Sequence, residues 1–118
     1  MSLLRLGRTK NIKDSDSVDY DPILKARHVI AQLKKEIPLK KAILFGSALT
    51  SKFDANSDLD FLLVVEDKED LRKMQKILYS RRWSDISIDF ILKSESDFNS
   101  RKEIGGVCFE AFHYGLEL

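Results

Sequence analysis

The sequence predicts an α+β domain in which a small mixed sheet of three to four strands is packed by about three helices. Two observations support this prediction. Apolar residues recur at helical spacing in three stretches of the chain, and short apolar runs of strand length lie between them. A chain of 118 residues has the length of one domain, and a sheet covered by helices buries all of these faces.

The first predicted helix follows a polar lead-in. Residues 1–20 are polar and aperiodic, so we expect a flexible segment there and a folded domain over residues 21–118. Asp21 is a good N-cap, Pro22 suits the first helical position, and Pro38 ends the helix. The apolar stripe of this helix comprises Ile23, Ala26, Ile30, Leu33 and Ile37.

Two predicted strands come next, joined by a polar loop. Residues 42–45 form a short apolar run that stops at Gly46-Ser47, and residues 59–65 form a longer run interrupted only by Asp60. Runs of this length between polar or glycine-containing loops are typical of buried strands. We therefore expect the carboxylate of Asp60 on an otherwise apolar strand.

A second helix and a third strand follow. Asp67 can cap the helix, and Trp83 closes the core behind it. Residues 86–92 alternate and then become continuously apolar, which predicts a strand that carries Asp89. The inner face of the helix is formed by Leu71, Met74 and Leu78.

The end of the chain predicts one more helix. Residues 94–100 are polar, and residues 101–113 have helical periodicity up to Gly115, which stops the helix. Residues 116–118 could add a short last strand. The helix residues expected to face inward are Ile104, Val107, Cys108, Ala111 and Phe112.

The bulk composition excludes several classes of protein. The chain has 20 basic and 19 acidic residues, so its net charge does not indicate nucleic acid as a partner. Its single cysteine, Cys108, cannot form an intrachain disulfide, and no apolar run is long enough to span a membrane. We expect a cytoplasmic protein without a membrane partner, in which any polyanion meets a local site.

Two aspartates, Asp60 and Asp89, stand on apolar strands where carboxylates are costly, and a third, Asp58, lies close to Asp60 in the sequence. Asp58 and Asp60 point to one face of their strand, and Asp89 lies on the third strand. Any one of them could pair with a nearby lysine or arginine, or lie at a strand edge. If the two strands are neighbours, however, all three converge, and such carboxylates repel one another unless a cation binds them. Hard oxygen ligands favour Mg²⁺, and two ions could share them.

The Gly46-Ser47 pair comes directly after the first strand. Glycine lets the backbone approach a phosphate closely, and the serine hydroxyl and adjacent amides can donate to phosphate oxygens. A glycine–serine pair after a strand is also an ordinary turn, and the Gly-Lys-Ser/Thr ending of a Walker loop is absent. The Gly46-Ser47 pair indicates a phosphate-binding site only in combination with the aspartates.

Residues 44–47, 58–61 and 88–90 together resemble the signature of the DNA polymerase beta-like nucleotidyltransferase superfamily. That signature is a hydrophobic residue, Gly, Gly or Ser, a short loop, Asp-x-Asp, and a later acidic residue on a strand. The run Asn-Ser-Asp-Leu-Asp at 56–60 and the small size are similar to the minimal nucleotidyltransferases of prokaryotes. The resemblance covers about residues 22–118.

The resemblance implies a role for each motif residue. Gly46 and Ser47 would hold the β- and γ-phosphates of a nucleoside triphosphate, with Ser57 as a further nucleotide contact. The resemblance assigns Mg²⁺, with Mn²⁺ as an alternative, to a two-metal site formed by three carboxylates. Of these ligands, Asp89 would also help to deprotonate the attacking hydroxyl, while the two that bind both ions would be Asp58 and Asp60.

One position departs from the family pattern. Small members commonly continue Gly-Ser-Arg-x-x-Gly, whereas this chain has Ala48 at the arginine position and Ser51 at that of the later glycine. Lys52 could supply the missing cation from the loop and so bind nucleotide. A lysine in a polar loop is, however, more often simply solvated.

The resemblance leads to two main hypotheses of function. The first is an enzyme that transfers a nucleoside monophosphate, AMP from ATP, to a hydroxyl on a partner protein. Minimal prokaryotic members often pair with a helical HEPN-type protein in toxin–antitoxin modules, which implies an antitoxin role here; a homo-oligomer is the other source of an acceptor surface. The second is a binding module of the same fold that neutralises a partner by contact. An antibiotic-modifying enzyme is a third option, but such enzymes normally need more chain to enclose the drug.

Overall fold

The structure is a computed structural model that describes residues 21–54, 56–81, 83 and 86–118. It confirms the predicted α+β fold, a four-stranded mixed sheet with helices. The predicted flexible segment, residues 1–20, lies outside the described residues. No helix in the described ranges is long and apolar enough to cross a membrane. The elements are α1 (Pro22–Lys34), β1 (Lys41–Phe45), a short 3-10 helix (Gly46–Leu49), β2 (Leu59–Val65), α2 (Lys68–Ser80), β3 (Ile88–Ser94), α3 (Glu95–Arg101), α4 (Gly106–Tyr114) and β4 (Leu116–Glu117).

The sheet has the strand order β3-β2-β1-β4 and contains both pairing directions. β2 runs antiparallel to β1 and parallel to β3, and β4 pairs antiparallel with β1. A parallel pair needs a crossover connection, which α2 supplies. The last residue of β1 therefore meets the first residues of β2 and β3 at one end of the sheet. We call this the site end, marked by Phe45, Asp60 and Asp89.

Successive strand side chains point to opposite sides of the sheet. Helices cover both sides, so both faces are buried. α1 and α2 pack on the face that carries Leu44 and Phe61. α3 and α4 pack on the other face, where Phe98 and Cys108 join a second cluster. The predicted core positions of Trp83 and Cys108 are confirmed, since both side chains are buried.

The two predicted N-caps are confirmed. Asp21 Oδ1 accepts a hydrogen bond from the Ile23 backbone N–H at 2.9 Å, and Asp67 caps α2 in the same way. α1 ends at Lys34, earlier than the following proline alone predicts. The Lys35 and Glu36 backbone N–H groups there donate to carbonyl oxygens three residues earlier, the tightening by which many helices end. Ile37 is buried all the same.

The single helix predicted over residues 101–113 is wrong. The structure has a turn through Gly105 and Gly106 there, with φ angles of 148° and 77° that suit glycine. Ile104 lies in this turn and is 80% exposed, and Phe112 is 38% exposed, so neither faces inward as predicted. The helical periodicity of the sequence continues across two glycines that break the helix in the structure.

The polar stretch 94–100 forms most of the helix α3 instead. Ser94 Oγ caps it by accepting from the Asp97 backbone N–H at 3.3 Å, and Phe98 anchors it in the core. The remaining predictions for this region are confirmed: Gly115 ends α4, and a short strand, β4, follows. The predicted inward positions that hold are Val107, Cys108 and Ala111.

Candidate active site

The three predicted carboxylates converge at the site end of the sheet. Asp60 lies directly opposite Asp89 in the parallel register of β2 and β3. Asp58 immediately precedes β2 and, by strand alternation, points to the same face as Asp60. The Leu59 backbone N–H donates to the Ser87 carbonyl oxygen at 3.0 Å, which ties the starts of the two strands together. The neighbouring strands on which the predicted convergence depended are therefore present.

These carboxylates influence one another. Burial, followed by the charges of Asp89 and Asp58, raises the pKa of Asp60 to about 6 from its ordinary value of 3.8. Burial also raises the pKa of Asp89, and the charge of Asp58 adds to that rise. The Asp89 side chain lies within hydrogen-bonding reach of both other carboxylates. Two carboxylates share such a contact only when one of them holds a proton, so ionising all three would place like charges close together.

The donor set fits a divalent cation. All three side chains offer hard oxygen ligands, which Mg²⁺ prefers, and no lysine or arginine of the described ranges forms an ion pair with Asp58 or Asp60. Within those ranges, no group of three His, Cys, Asp or Glu side chains is already arranged to hold a metal ion. The metal-ligand role of Asp58, Asp60 and Asp89 therefore stays a prediction.

The Gly46-Ser47 turn closes directly over the carboxylate of Asp60. Gly46 has a φ of +82°, and a Cβ at this position would lie 2.5 Å from Asp60 Oδ2, so glycine is the residue that fits. The 3-10 helix that starts at Gly46 has no side-chain cap. The Ser47 hydroxyl bonds to no residue of the described chain. Donors of the backbone and of one side chain thus stand beside the carboxylates.

Two further predicted nucleotide contacts, Ser57 and Lys52, lie in the loop between β1 and β2. The Ser57 hydroxyl donates to Asp54 Oδ1 at 3.1 Å and accepts from the Asp54 backbone N–H at 3.2 Å, which orders the loop ahead of Asp58. The Lys52 backbone N–H donates to Thr50 Oγ1 at 3.1 Å, and its side chain is exposed. Contact of either residue with a nucleotide stays a prediction.

Ala48, at the position where the resemblance expects arginine, faces the core. Only 6% of this residue is exposed, and it belongs to the cluster against which α1 packs. A long side chain here would have to displace its neighbours or turn out of the core. The small residue is therefore what the packing of this chain requires.

Glu110 of α4 is a site residue that the sequence did not predict. Its charge contributes to the raised pKa of Asp60, so α4 brings a fourth carboxylate towards the cluster. Glu110 is the one acidic residue in the sequence GVCFEAFHY of this helix. An acidic residue alone in an otherwise mostly apolar helix is a sign of a functional role. It does not show which group Glu110 meets, because the turn ahead of α4 decides where the helix lies.

Comparison with known proteins gives one match. The family model described as polymerase beta, nucleotidyltransferase matches residues 27–116, which include β1, the turn, and all three aspartates. The curated proteins and the solved structures contain no significant match.

Proposed function

This chain belongs to the polymerase beta nucleotidyltransferase family, and we propose that it is an active, metal-dependent enzyme that transfers AMP from ATP to a hydroxyl on a partner protein. The observation that supports this most is the meeting of Asp58, Asp60 and Asp89 beside the Gly46-Ser47 turn. A site that binds a triphosphate with its metal ion needs carboxylates to hold the cation and, next to them, hydrogen-bond donors to hold the phosphates.

The carboxylates would hold the cation. Asp58 and Asp60 would bind two Mg²⁺ ions, with Mn²⁺ as the alternative, and Asp89 would complete the ligands of one of them. When bound, the ions neutralise the charge that develops on the phosphates. The raised pKa of Asp60 supports this assignment, because burial and the neighbouring carboxylates make its ionised form costly and a bound cation would offset that cost.

The chain's own donors and acceptors would serve the remaining steps. The Gly46 and Ser47 groups donate to the β- and γ-phosphate oxygens, with Lys52 and Ser57 as further contacts. The acceptor hydroxyl oxygen attacks the α-phosphorus, its proton passes to an Asp89 carboxylate oxygen, and the bond to the β-phosphate oxygen breaks to release pyrophosphate. Asp89 lies directly beside Asp60 in the parallel register, which would place its carboxylate next to the attacking hydroxyl.

The acceptor would be a helical partner protein of the HEPN type, with this chain as the antitoxin. The resemblance to minimal prokaryotic nucleotidyltransferases suggests this pairing. Exposed apolar side chains near the end of the chain agree with a protein partner: Ile104 is 80% exposed and Phe112 is 38% exposed. A second copy of this chain is the other candidate partner.

A labelling experiment tests the enzymatic proposal. Purified protein and the product of the neighbouring gene are incubated with Mg²⁺ and ATP labelled on its α-phosphate. Label should appear on the partner and vanish with the Asp58→Asn/Asp60→Asn double variant. The matched control is Asp70→Asn, at the start of α2 and so beyond the opposite end of β2, which should retain transfer. Absence of transfer with wild-type protein that still binds its partner would reject catalysis.

One observation favours the binding module as a second candidate. Ala48 removes the cation that small family members commonly carry after Gly-Ser, and its burial prevents another large side chain from standing there. Under this alternative the protein neutralises its partner by contact alone. Complex formation that persists in the double aspartate variant, with no transfer by wild type, would support it.

A further inference from the structure

A cavity of about 340 Å³ opens beside the Gly46-Ser47 turn. This volume lies at the lower end of ligand pockets, which measure about 300–1,000 Å³. α4 forms one wall, because Gly115 lets the end of the helix press onto β1; a Cβ there would collide with Ile43 Cγ2. The cavity is lined by Phe45, Gly46, Leu49, Thr50, Glu110 and Tyr114.

The lining of this cavity selects against phosphate and in favour of a flat, uncharged group. Three of its side chains, Phe45, Leu49 and Tyr114, are apolar or aromatic, and none of the described residues that line it is a lysine or arginine. Among the described residues that line the cavity, the one charged group is Glu110, which bonds to no described residue. A carboxylate repels phosphate oxygens and accepts hydrogen bonds from N–H groups.

The cavity also lies within reach of the proposed triphosphate site. Gly46 is part of both, since it begins the phosphate-binding turn and lines the cavity. Phe45 is the direct cross-strand partner of Asp60. A ligand whose phosphates are held at the turn therefore has an apolar recess next to it for the part of the molecule that is not charged.

We infer that this cavity binds the nucleoside part of the nucleotide, with the base against the Tyr114 ring and an N–H group of its edge donating to Glu110. This inference rests on the proposed function, which supplies the triphosphate at the turn. Base–aromatic stacking tolerates any base, so selectivity would come from Glu110. A carboxylate favours adenine, guanine or cytosine, which present an amino group, over uracil, whose single N–H lies between two carbonyl oxygens.

The test compares three ligands by calorimetry in Mg²⁺: ATP, UTP and inorganic tripolyphosphate. Tyr114→Ala should weaken ATP about tenfold, the lower part of the range for one stacked base, and leave tripolyphosphate unchanged. Tyr114→Phe should restore ATP binding. Glu110→Gln should reduce the preference for ATP over UTP severalfold, because an amide both donates and accepts. The matched controls, Tyr79→Ala and Glu66→Gln, alter exposed residues outside the cavity and should change nothing.

The outcomes separate this inference from the proposal on which it rests. If wild type binds ATP but Tyr114→Ala binds it equally well, the base lies elsewhere and the inference fails, while the proposed function stands. If Glu110→Gln strengthens all three ligands alike, Glu110 acts only as a nearby charge and its contact with the base is refuted. If wild type binds neither ATP nor tripolyphosphate, both the proposed function and the inference fail.

Discussion

Asp60→Asn should stabilise the metal-free protein at neutral pH, although it removes a proposed metal ligand. The pKa of Asp60 in the folded state is about 6, against an ordinary value of 3.8. Ionisation therefore costs the folded state more free energy than it costs the unfolded chain. The difference of roughly two pKa units corresponds to about 3 kcal/mol. Because the side chain is partly open to solvent, we expect about 1–2 kcal/mol of stabilisation from the substitution.

The pH dependence of this effect has a definite sign. Below about pH 4 Asp60 is protonated in the folded and unfolded states, so wild type and variant should differ little from this cause. As the pH rises through 6, the folded wild type must give up the proton that it binds more tightly than the unfolded chain does. Its free energy of unfolding then falls relative to that of Asp60→Asn.

Urea unfolding followed by circular dichroism, in EDTA at pH 4 and pH 7.5, measures the effect. Asp70→Asn is the matched control with the opposite expected sign, because it removes a carboxylate from the first turn of α2, where the helix dipole favours negative charge. Excess Mg²⁺ at pH 7.5 should then stabilise wild type and not Asp60→Asn. A gain of equal size at both pH values, or a loss at pH 7.5, would refute the raised pKa of Asp60 as the cause.

Three further substitutions probe the phosphate turn. Gly46→Ala should abolish binding of tripolyphosphate in calorimetry, because its Cβ would meet Asp60 Oδ2 and φ is +82°; retained affinity would contradict the close approach. Ala48→Arg should not improve nucleotide affinity and should lower the free energy of unfolding by about 1–3 kcal/mol, since the position is buried; tighter binding without loss in urea unfolding would show that the arginine can turn outward. Lys52→Ala should weaken ATP binding, and an unchanged calorimetric titration would reject Lys52 as the replacement cation.

Much of the fold follows from local chemistry that the sequence displays. Asp21 and Asp67 are caps whose partners lie two or three residues away, so each helix start could be located without tertiary information. The apolar run of β2 permits few other structures and matches the observed strand from Leu59 to Val65. The predicted convergence of the aspartates needed one step more, the assumption that the strands of Asp60 and Asp89 are neighbours.

The errors arose where distant contacts outweigh the local pattern. Residues 101–113 have an apolar periodicity that continues through Gly105 and Gly106, and nothing local shows that these two adopt positive φ. Phe98 enters the core because α3 packs against the sheet, and the polar residues around it give no local sign of this helix. Glu110 escaped prediction for the same reason, since the turn decides that α4 returns to the site end.

The strand directions explain why the three aspartates and the Gly46-Ser47 turn lie at the same end of the sheet. β1 finishes at Phe45, opposite Asp60 in the antiparallel register, so the chain leaves β1 into the Gly46 turn beside the start of β2. β3 runs parallel to β2, which sets Asp89 next to Asp60. Had β3 run antiparallel over the same extent, Asp89 would stand opposite Val64 near the far end of β2, about 13 Å along the strand from Asp60 at 3.3 Å per residue. The crossover through α2 is thus as necessary to the proposed metal site as the aspartates are, and lengthening or shortening β3 before Asp89 by one residue would turn its carboxylate to the opposite face.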